Sequence, residues 1–267
     1  VTYLIAEAGL AHDGSMFQAR QMIDVFARAG ATAIKFQGHR GQEVTGAHPS
    51  EHVSETRAGY YARTGFDVGE WIHLHQRCAE RGVDFVLSPF SVAAVEEAEA
   101  LYPPARWKIA SGQVTDLDML RAVAATGRPV LVSTGMSTAA EDARALAVLG
   151  QDRCGREPGV LLCVSKYPCE ATDLPLLDLT TGAYVGLSDH TVGATAAIAA
   201  TALGAEVIEK HVTLSRHMYG SDSWMSMLPD EFTAMAGAIR DVGAMMRVSR
   251  DKGVRGMAAV RKVYLAS

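Results

Sequence analysis

Two histidines, two lysines, a lone glutamate and a series of serines stand at the ends of short apolar runs in this chain of 267 residues. The runs close on Glu7, on Lys35 and Gln37, on Ser88, on Lys108 and Ser111, on Ser133, on Ser165 and Tyr167, on His190, and on His211. His190 and His211 are one strand–helix unit apart, which puts them on neighbouring strands roughly 5 Å from each other. Two imidazoles at one height could bind a divalent metal and leave several coordination positions to water or substrate. One catalytic and one structural histidine is the rival reading. Lys35 and Lys108 suit a phosphate or a carboxylate. A Schiff base is the second chemistry open to them, and plain surface charge the third. Glu7 could act as a general base, orient a metal water or hold substrate, or it could simply pair with Lys35. Asp222 follows His211 on the next loop and can approach the same place. His12, on the first loop, is expected to be solvated.

These residues need strands that deliver them to one end. Side chains on a strand alternate between faces, so Lys35 and Gln37 share a face, as do Ser188 and His190, and Glu209 and His211. Polar groups collected at the carboxyl ends of consecutive strands mark the active-site face of a (β/α)₈ barrel. The predicted strands are 2–5, 33–37, 84–88, 107–111, 129–134, 159–165, 184–190 and 206–213. Ser15 and Gln18 form a capping-box pattern, and Ala19, Met22, Ile23 and Phe26 follow at helical spacing up to Gly30. Further helices are predicted near 68–81, 92–101, 116–126, 138–149 and 194–203. The last, from Pro229, carries Phe232, Met235, Ile239, Val242 and Met246 on one stripe. Residues 38–66 read as one long loop, and 170–182 as a weak crossover. Strict alternation of strand and helix argues for a parallel sheet covered by helices. The expected fold is a single (β/α)₈ TIM barrel over 1–246, with 247–267 a basic tail or linker. An open doubly wound sheet is the rival.

Composition excludes several classes. A net charge of -5, and no arginine–aromatic cluster, argue against a nucleic-acid partner. No apolar run is long enough for a transmembrane helix or signal peptide. Cys78, Cys154, Cys163 and Cys169 have no metal spacing and read as buried free thiols, so a cytoplasmic setting is expected.

The motifs together resemble those of the sialic acid synthase family. The segments are AEAGLAHDG (6–14), IKFQ (34–37), LSPFS (87–91), KIASG (108–112), STGMS (133–137), SKYP (165–168), GLSDHT (186–191) and EKHVT (209–213), with GSD at 220–222. The resemblance implies condensation of phosphoenolpyruvate with an aldose or related sugar aldehyde. The product would be a chain-extended 2-keto-3-deoxy sugar acid, and phosphate would leave by C–O cleavage. It implies that His190 and His211 bind a divalent metal, usually manganese, with magnesium or cobalt as alternatives. Glu7 corresponds to a glutamate beside the metal water and the acceptor aldehyde. Lys35, Lys108, Ser133 and Ser188 correspond to residues that hold phosphoenolpyruvate, with Ser88 and Ser111 as further hydroxyls. Gln37, Tyr167 and Asp222 correspond to groups on the acceptor sugar. Ser165 stands where the family has asparagine, Gln113 where it has glutamate, and Ala11 before His12 where it has asparagine. The family usually continues into a small antifreeze-like domain, and this sequence reads as the barrel without it. Barrels of this group commonly pair, so a homodimer is expected. A Schiff-base aldolase and a non-catalytic barrel for phosphorylated ligands remain the alternatives.

Overall fold

A computed structural model describes residues 2–39 and 50–248. Eight parallel strands close into one barrel in chain order, each paired with its sequence neighbours and β8 with β1. The strands are β1 (Tyr3–Gly9), β2 (Ala33–Gly38), β3 (Asp84–Pro89), β4 (Arg106–Ile109), β5 (Val130–Ser133), β6 (Gly159–Cys163), β7 (Gly186–Asp189) and β8 (Val207–His211). Closure removes the open-sheet alternative. The helices are α1 (Met16–Arg28), α2 (Arg57–Thr64), α3 (Val68–Arg81), α4 (Val92–Leu101), α5 (Leu117–Thr126), α6 (Ala139–Leu149), α7 (Thr195–Ala202) and α8 (Pro229–Met245). No helix among the described residues is long and apolar enough to cross a membrane.

The alternation of each strand sorts its residues into two environments. Outward side chains such as Leu4, Ile34, Phe36, Leu87, Trp107, Ile109 and Leu187 pack under the helices in the main core. Inward ones form an apolar plug of Ile5, Ala33, Val86, Leu131, Leu161 and Val207, with Tyr3 against it. Burying such side chains stabilises the fold by about 1.5–3 kcal/mol each. Two residues further along the same strands, the inward positions become Glu7, Lys35, Ser88, Ser133, Cys163 and Glu209. The plug is thus the floor on which a polar layer rests. Gly186 lets β7 come close to β8, because a Cβ there would collide with the Val207 carbonyl.

Several sequence expectations need correction. The loop 38–66 contains α2, which the apolar pattern does not reveal. Thr56 caps it by accepting from the Gly59 amide, and only Tyr60 and Thr64 are buried. An eight-residue helix with so narrow a buried stripe is too short for periodicity to show. Residues 40–49 of that loop lie outside the described residues. So does the predicted tail from 249 onward. Where a weak crossover was expected, two short 3₁₀ segments, Ala171–Asp173 and Leu176–Thr181, replace an α-helix. Ser111 and Ser165 follow their strands: Ser111 opens a 3₁₀ turn and Ser165 lies two residues past β6. Cys78, Cys163 and Cys169 are buried free thiols, whereas Cys154 is exposed.

Candidate active site

The parallel register sets the site. Glu7 pairs with Lys35 on β2 and with His211 on β8, and Ser188 pairs with Glu209. Glu7, Lys35, Lys108 and Glu209 are all buried in the polar layer. Lys35 Nζ lies 2.9 Å from Glu7 Oε1 and 3.7 Å from Glu209 Oε1, and it donates to Ser88 Oγ at 3.2 Å. Lys108 Nζ reaches Glu209 Oε1 at 3.4 Å. Gln37 Nε2 donates to Glu7 Oε1 at 3.0 Å, and Ser188 Oγ donates to Glu209 Oε1 at 3.1 Å.

Both carboxylates therefore present the same pattern. One oxygen is saturated by ammonium and polar donors. The other, Oε2 of Glu7 and Oε2 of Glu209, is buried with no hydrogen-bond partner among the described residues, as is Ser133 Oγ. Buried acceptors left this way normally cost about 1–3 kcal/mol each, so three in one layer mark a place where a ligand completes the bonding.

Charge and burial compete in the layer. Burial alone would raise the Glu209 carboxyl, but Lys108 and then Lys35 outweigh it and hold it down at about 2. Burial opposes the charge on Lys35 as well, yet Glu209 and Glu7 overcome it, and the Lys35 ammonium is strengthened. For Lys108 burial prevails over the attraction of Glu209, and its pKa is lowered. The two lysines are thus unequal. Each is also already compensated by a carboxylate, Lys35 by the Glu7 pairing that the sequence left open and Lys108 by Glu209.

The histidines stand at the rim of this layer. Their ring centroids are 5.5 Å apart. His190 Nδ1 lies 2.8 Å from the Val164 carbonyl, which can only accept, so Nδ1 carries the proton. The lone pair is left on Nε2, where the Tyr167 hydroxyl donates at 3.1 Å. Burial, aided by His211, pushes the His190 pKa down to about 3, which keeps the ring neutral. A neutral imidazole fixed by a carbonyl at its other nitrogen is the arrangement found for metal ligands. His211 Nδ1 is 3.8 Å from Asp222 Oδ2.

Gly9 adds a second sign. It has φ +50°, and a Cβ there would lie 3.1 Å from Asp222 Oδ2, 3.5 Å from His211 Nδ1 and 3.6 Å from Glu7 Oε1. Atoms of Asp222, His211 and Glu7 border the notch that the missing Cβ leaves. The two neighbouring imidazoles are the donors that fit a divalent ion. Among the described residues no group of three His, Cys, Asp or Glu side chains is itself placed to hold one. The remaining positions would belong to water or substrate.

The residues picked from sequence do not all meet. Glu7, Lys35, Gln37, Ser88, Lys108, Ser188, His190 and His211 form the connected cluster, and Tyr167 and Asp222 touch it through the histidines. Ser111 and Ser165 bond to each other at 2.7 Å on the rim beside Cys163. His12 overturns its expectation. It is buried, stacks on Phe66 at 4.5 Å, accepts from the Gly14 amide at 3.1 Å, and is held neutral by burial at a pKa of about 3. It is a clamp on the first loop. Glu209 is the residue that sequence reasoning left without a role. Alternation had placed it beside His211, and its position two residues before that histidine was the available signal.

Helix α2 closes one side of the rim. Arg63 bonds to Asp13 through its carbonyl and carboxylate at 3.0 and 2.8 Å, and to Glu55 at 2.9 Å. The same guanidinium lies over Tyr60 and Tyr219 at 5.5 and 5.8 Å. Tyr219 accepts from the Ser54 amide at 2.8 Å. The loops after β1, β2 and β8 are thereby tied together.

Comparison with known proteins agrees with this construction. The NeuB family model matches residues 22–251. An uncharacterized protein of Methanocaldococcus jannaschii is 35% identical over 92% of this chain and 72% of its own length. The N,N'-diacetyllegionaminic acid synthase of Campylobacter jejuni is 31% identical, over 92% of this chain and 77% of its own. Among solved structures, N-acetylneuraminic acid (sialic acid) synthetase from Leptospira borgpetersenii superposes with a TM-score of 0.83 at 27% identity, covering 98% of this chain and 93% of that one. A closed barrel, a strand-end polar layer and a family match spanning both histidines lead to one assignment: the chain belongs to the NeuB family, the sialic acid synthase-like barrels.

Proposed function

We propose that this barrel condenses phosphoenolpyruvate with an aldose or related sugar aldehyde, giving a chain-extended 2-keto-3-deoxy sugar acid and phosphate. The observation that carries the reading is the layer of Lys35, Lys108, Glu7 and Glu209, with three buried polar oxygens left open, directly beneath His190 and His211. The named relatives that make legionaminic and N-acetylneuraminic acid support it.

His190 and His211 would hold a divalent ion, for which manganese is the proposed choice. Such an ion, when bound, polarises the aldehyde oxygen as a Lewis acid. Electrostatics favours this need. Two ammonium groups and two carboxylates sum to zero, so the protein layer alone offers no net positive charge to an anionic substrate. Lys35 and Lys108 place phosphate and carboxylate oxygens of phosphoenolpyruvate, helped by Ser133 and Ser188. The third carbon of phosphoenolpyruvate then attacks the aldehyde carbon. Water adds at the second carbon, and the tetrahedral species expels phosphate with cleavage of the C–O bond. Glu7, gripped through Oε1, keeps Oε2 to receive a proton from that water. The lysines stabilise charge on the departing phosphate. Gln37, Tyr167 and Asp222 face the acceptor.

The lowered pKa of Lys108 favours a second reading, an aldolase that forms a Schiff base there. One experiment separates the two. Phosphate release from phosphoenolpyruvate is measured with manganese and a panel of aldehydes, and the products are weighed by mass spectrometry. The synthase predicts release that requires both the ion and an aldehyde. Borohydride trapping of a carbonyl substrate on Lys108, insensitive to chelator, would support the aldolase and overturn the synthase.

A further inference from the structure

Of the four buried charges in the polar layer, Glu209 is the one to which the reaction proposed above gives no task. It stands on β8, and its Oε1 is shared by groups from three other strands. Ser188 Oγ of β7 donates to it at 3.1 Å, Lys108 Nζ of β4 lies at 3.4 Å, and Lys35 Nζ of β2 lies at 3.7 Å. Neither β2 nor β4 pairs with β8 in the barrel, so no backbone ladder ties those lysines to it. One carboxylate oxygen links them across the interior instead. Lys35 has Glu7 as a second partner, whereas Glu209 is the only carboxylate paired with Lys108 among the described residues.

The other oxygen, Oε2, is buried with no hydrogen-bond partner among the described residues. An ionised carboxylate has acceptors only. The ionised phosphate and carboxylate of phosphoenolpyruvate also offer acceptors only. Glu209 and this substrate therefore repel and cannot bond, and Oε2 is left for a water or a hydroxyl that donates. Any help that Glu209 gives the substrate must pass through Lys35, Lys108 and Ser188.

We infer that Glu209 is a positioning residue that fixes the spacing of Lys35, Lys108 and Ser188 around phosphoenolpyruvate, at a cost in substrate affinity. The inference rests on the reaction proposed above. Without Glu209 the layer would carry one net positive charge in place of none, and an anion would be held more tightly. The Lys108 ammonium would then have no carboxylate to steer it. Loss of alignment is the greater penalty, because misplacement by about 1 Å can slow a reaction by about 10²-fold.

The test compares the full chain with Glu209→Gln and Glu209→Asp. Phosphoenolpyruvate is titrated into each by ligand-detected NMR, and phosphate release is measured with manganese and an aldehyde. Glu209→Gln removes the charge and keeps an acceptor. It should bind phosphoenolpyruvate about three- to tenfold more tightly. Its turnover should nevertheless fall by about 10²-fold. Glu209→Asp keeps the charge and shortens the reach, so affinity should stay within about threefold of the unaltered chain. Its turnover should fall by about tenfold. Manganese bound per chain should be unchanged in both variants. A purely structural role would weaken affinity and turnover together. Weaker substrate binding by Glu209→Gln, full turnover in Glu209→Asp, or loss of manganese from either would overturn the assignment. If Glu209→Gln fails to fold, Glu209→Asp decides on the same readings. If the unaltered chain binds phosphoenolpyruvate but releases no phosphate with any aldehyde, the reaction falls, and the titrations still decide whether Glu209 opposes the substrate.

Discussion

Strand β8 carries Glu209 and Lys210 side by side, one turned into the barrel and the other toward its helices, and the two charges are handled in opposite ways. Lys210 pairs with Asp189 at 2.8 Å and also bonds to the Thr191 carbonyl. The other Asp189 oxygen takes the Thr191 amide and hydroxyl, both at 2.8 Å. Every obvious bond of that pair is made. Inside the barrel, Glu209 and Glu7 each keep a buried oxygen without a partner among the described residues. The outer pair is closed because its task is to hold β7 to β8. The inner group is open because a ligand must finish it. Buried charge alone does not distinguish structure from function in this molecule; the state of its hydrogen bonds does.

Four experiments can break or sharpen that contrast. The largest effect is expected from the rim. His190→Ala or His211→Ala should lower phosphate release by about 10³-fold, matching loss of several kcal/mol of Lewis-acid stabilisation. Metal content measured by atomic emission should fall in parallel, and a chelator should reproduce the effect on the unaltered protein. Full activity and metal content in both variants would remove the histidines from the site.

Next comes the outer pair. Lys210→Met strands Asp189 in the core and should cost about 3–5 kcal/mol of stability by denaturant unfolding. Activity per folded molecule should stay close to normal. Glu7→Gln should do the reverse. It keeps the shape and leaves Lys35 with Glu209, so unfolding should move by less than about 1 kcal/mol. Turnover should fall by about 10²-fold as the proton acceptor is lost. If Glu7→Gln instead unfolds the protein, the inner layer is structural and the contrast fails.

The smallest effect lies on the helices. Asp24 on α1 accepts from Arg77 and Arg81 of α3. The bond from Arg81, against the opposing effect of burial and with help from Arg77, holds its carboxyl well below the usual range. A folded pKa below the unfolded one gives stability that is full above the unfolded value, about 4, and is lost as pH falls through the folded value. Asp24→Asn should therefore lower the thermal midpoint modestly at neutral pH, and the gap from the unaltered chain should shrink below about pH 4.

Much of this was legible in the sequence because a barrel strand has a period of two. Ile5 then Glu7, and Ala33 then Lys35 then Gln37, put floor and site on one face without any knowledge of contacts. Strand ends were less legible, since β6 stops at Cys163 and β7 at Asp189 for reasons of pairing with neighbours. Three features were hidden for physical reasons. Helix α2 is held by Arg63 reaching to Asp13 and Glu55, long-range bonds that local periodicity does not register. His12 looked solvated because its burial comes from Phe66, far along the chain. The pairing of both lysines with Glu209 was hidden because it depends on which charges the barrel brings opposite one another.

The Arg63 clasp has a bearing on how this barrel can change over generations. It binds three loops on one arc of the rim, those after β1, β2 and β8, so a length change in any one disturbs the other two. The loops after β4, β6 and β7 are joined in a second group, by Ser111 to Ser165 and by Tyr167 to His190. Each arc is therefore inherited, or redesigned, as a block rather than loop by loop.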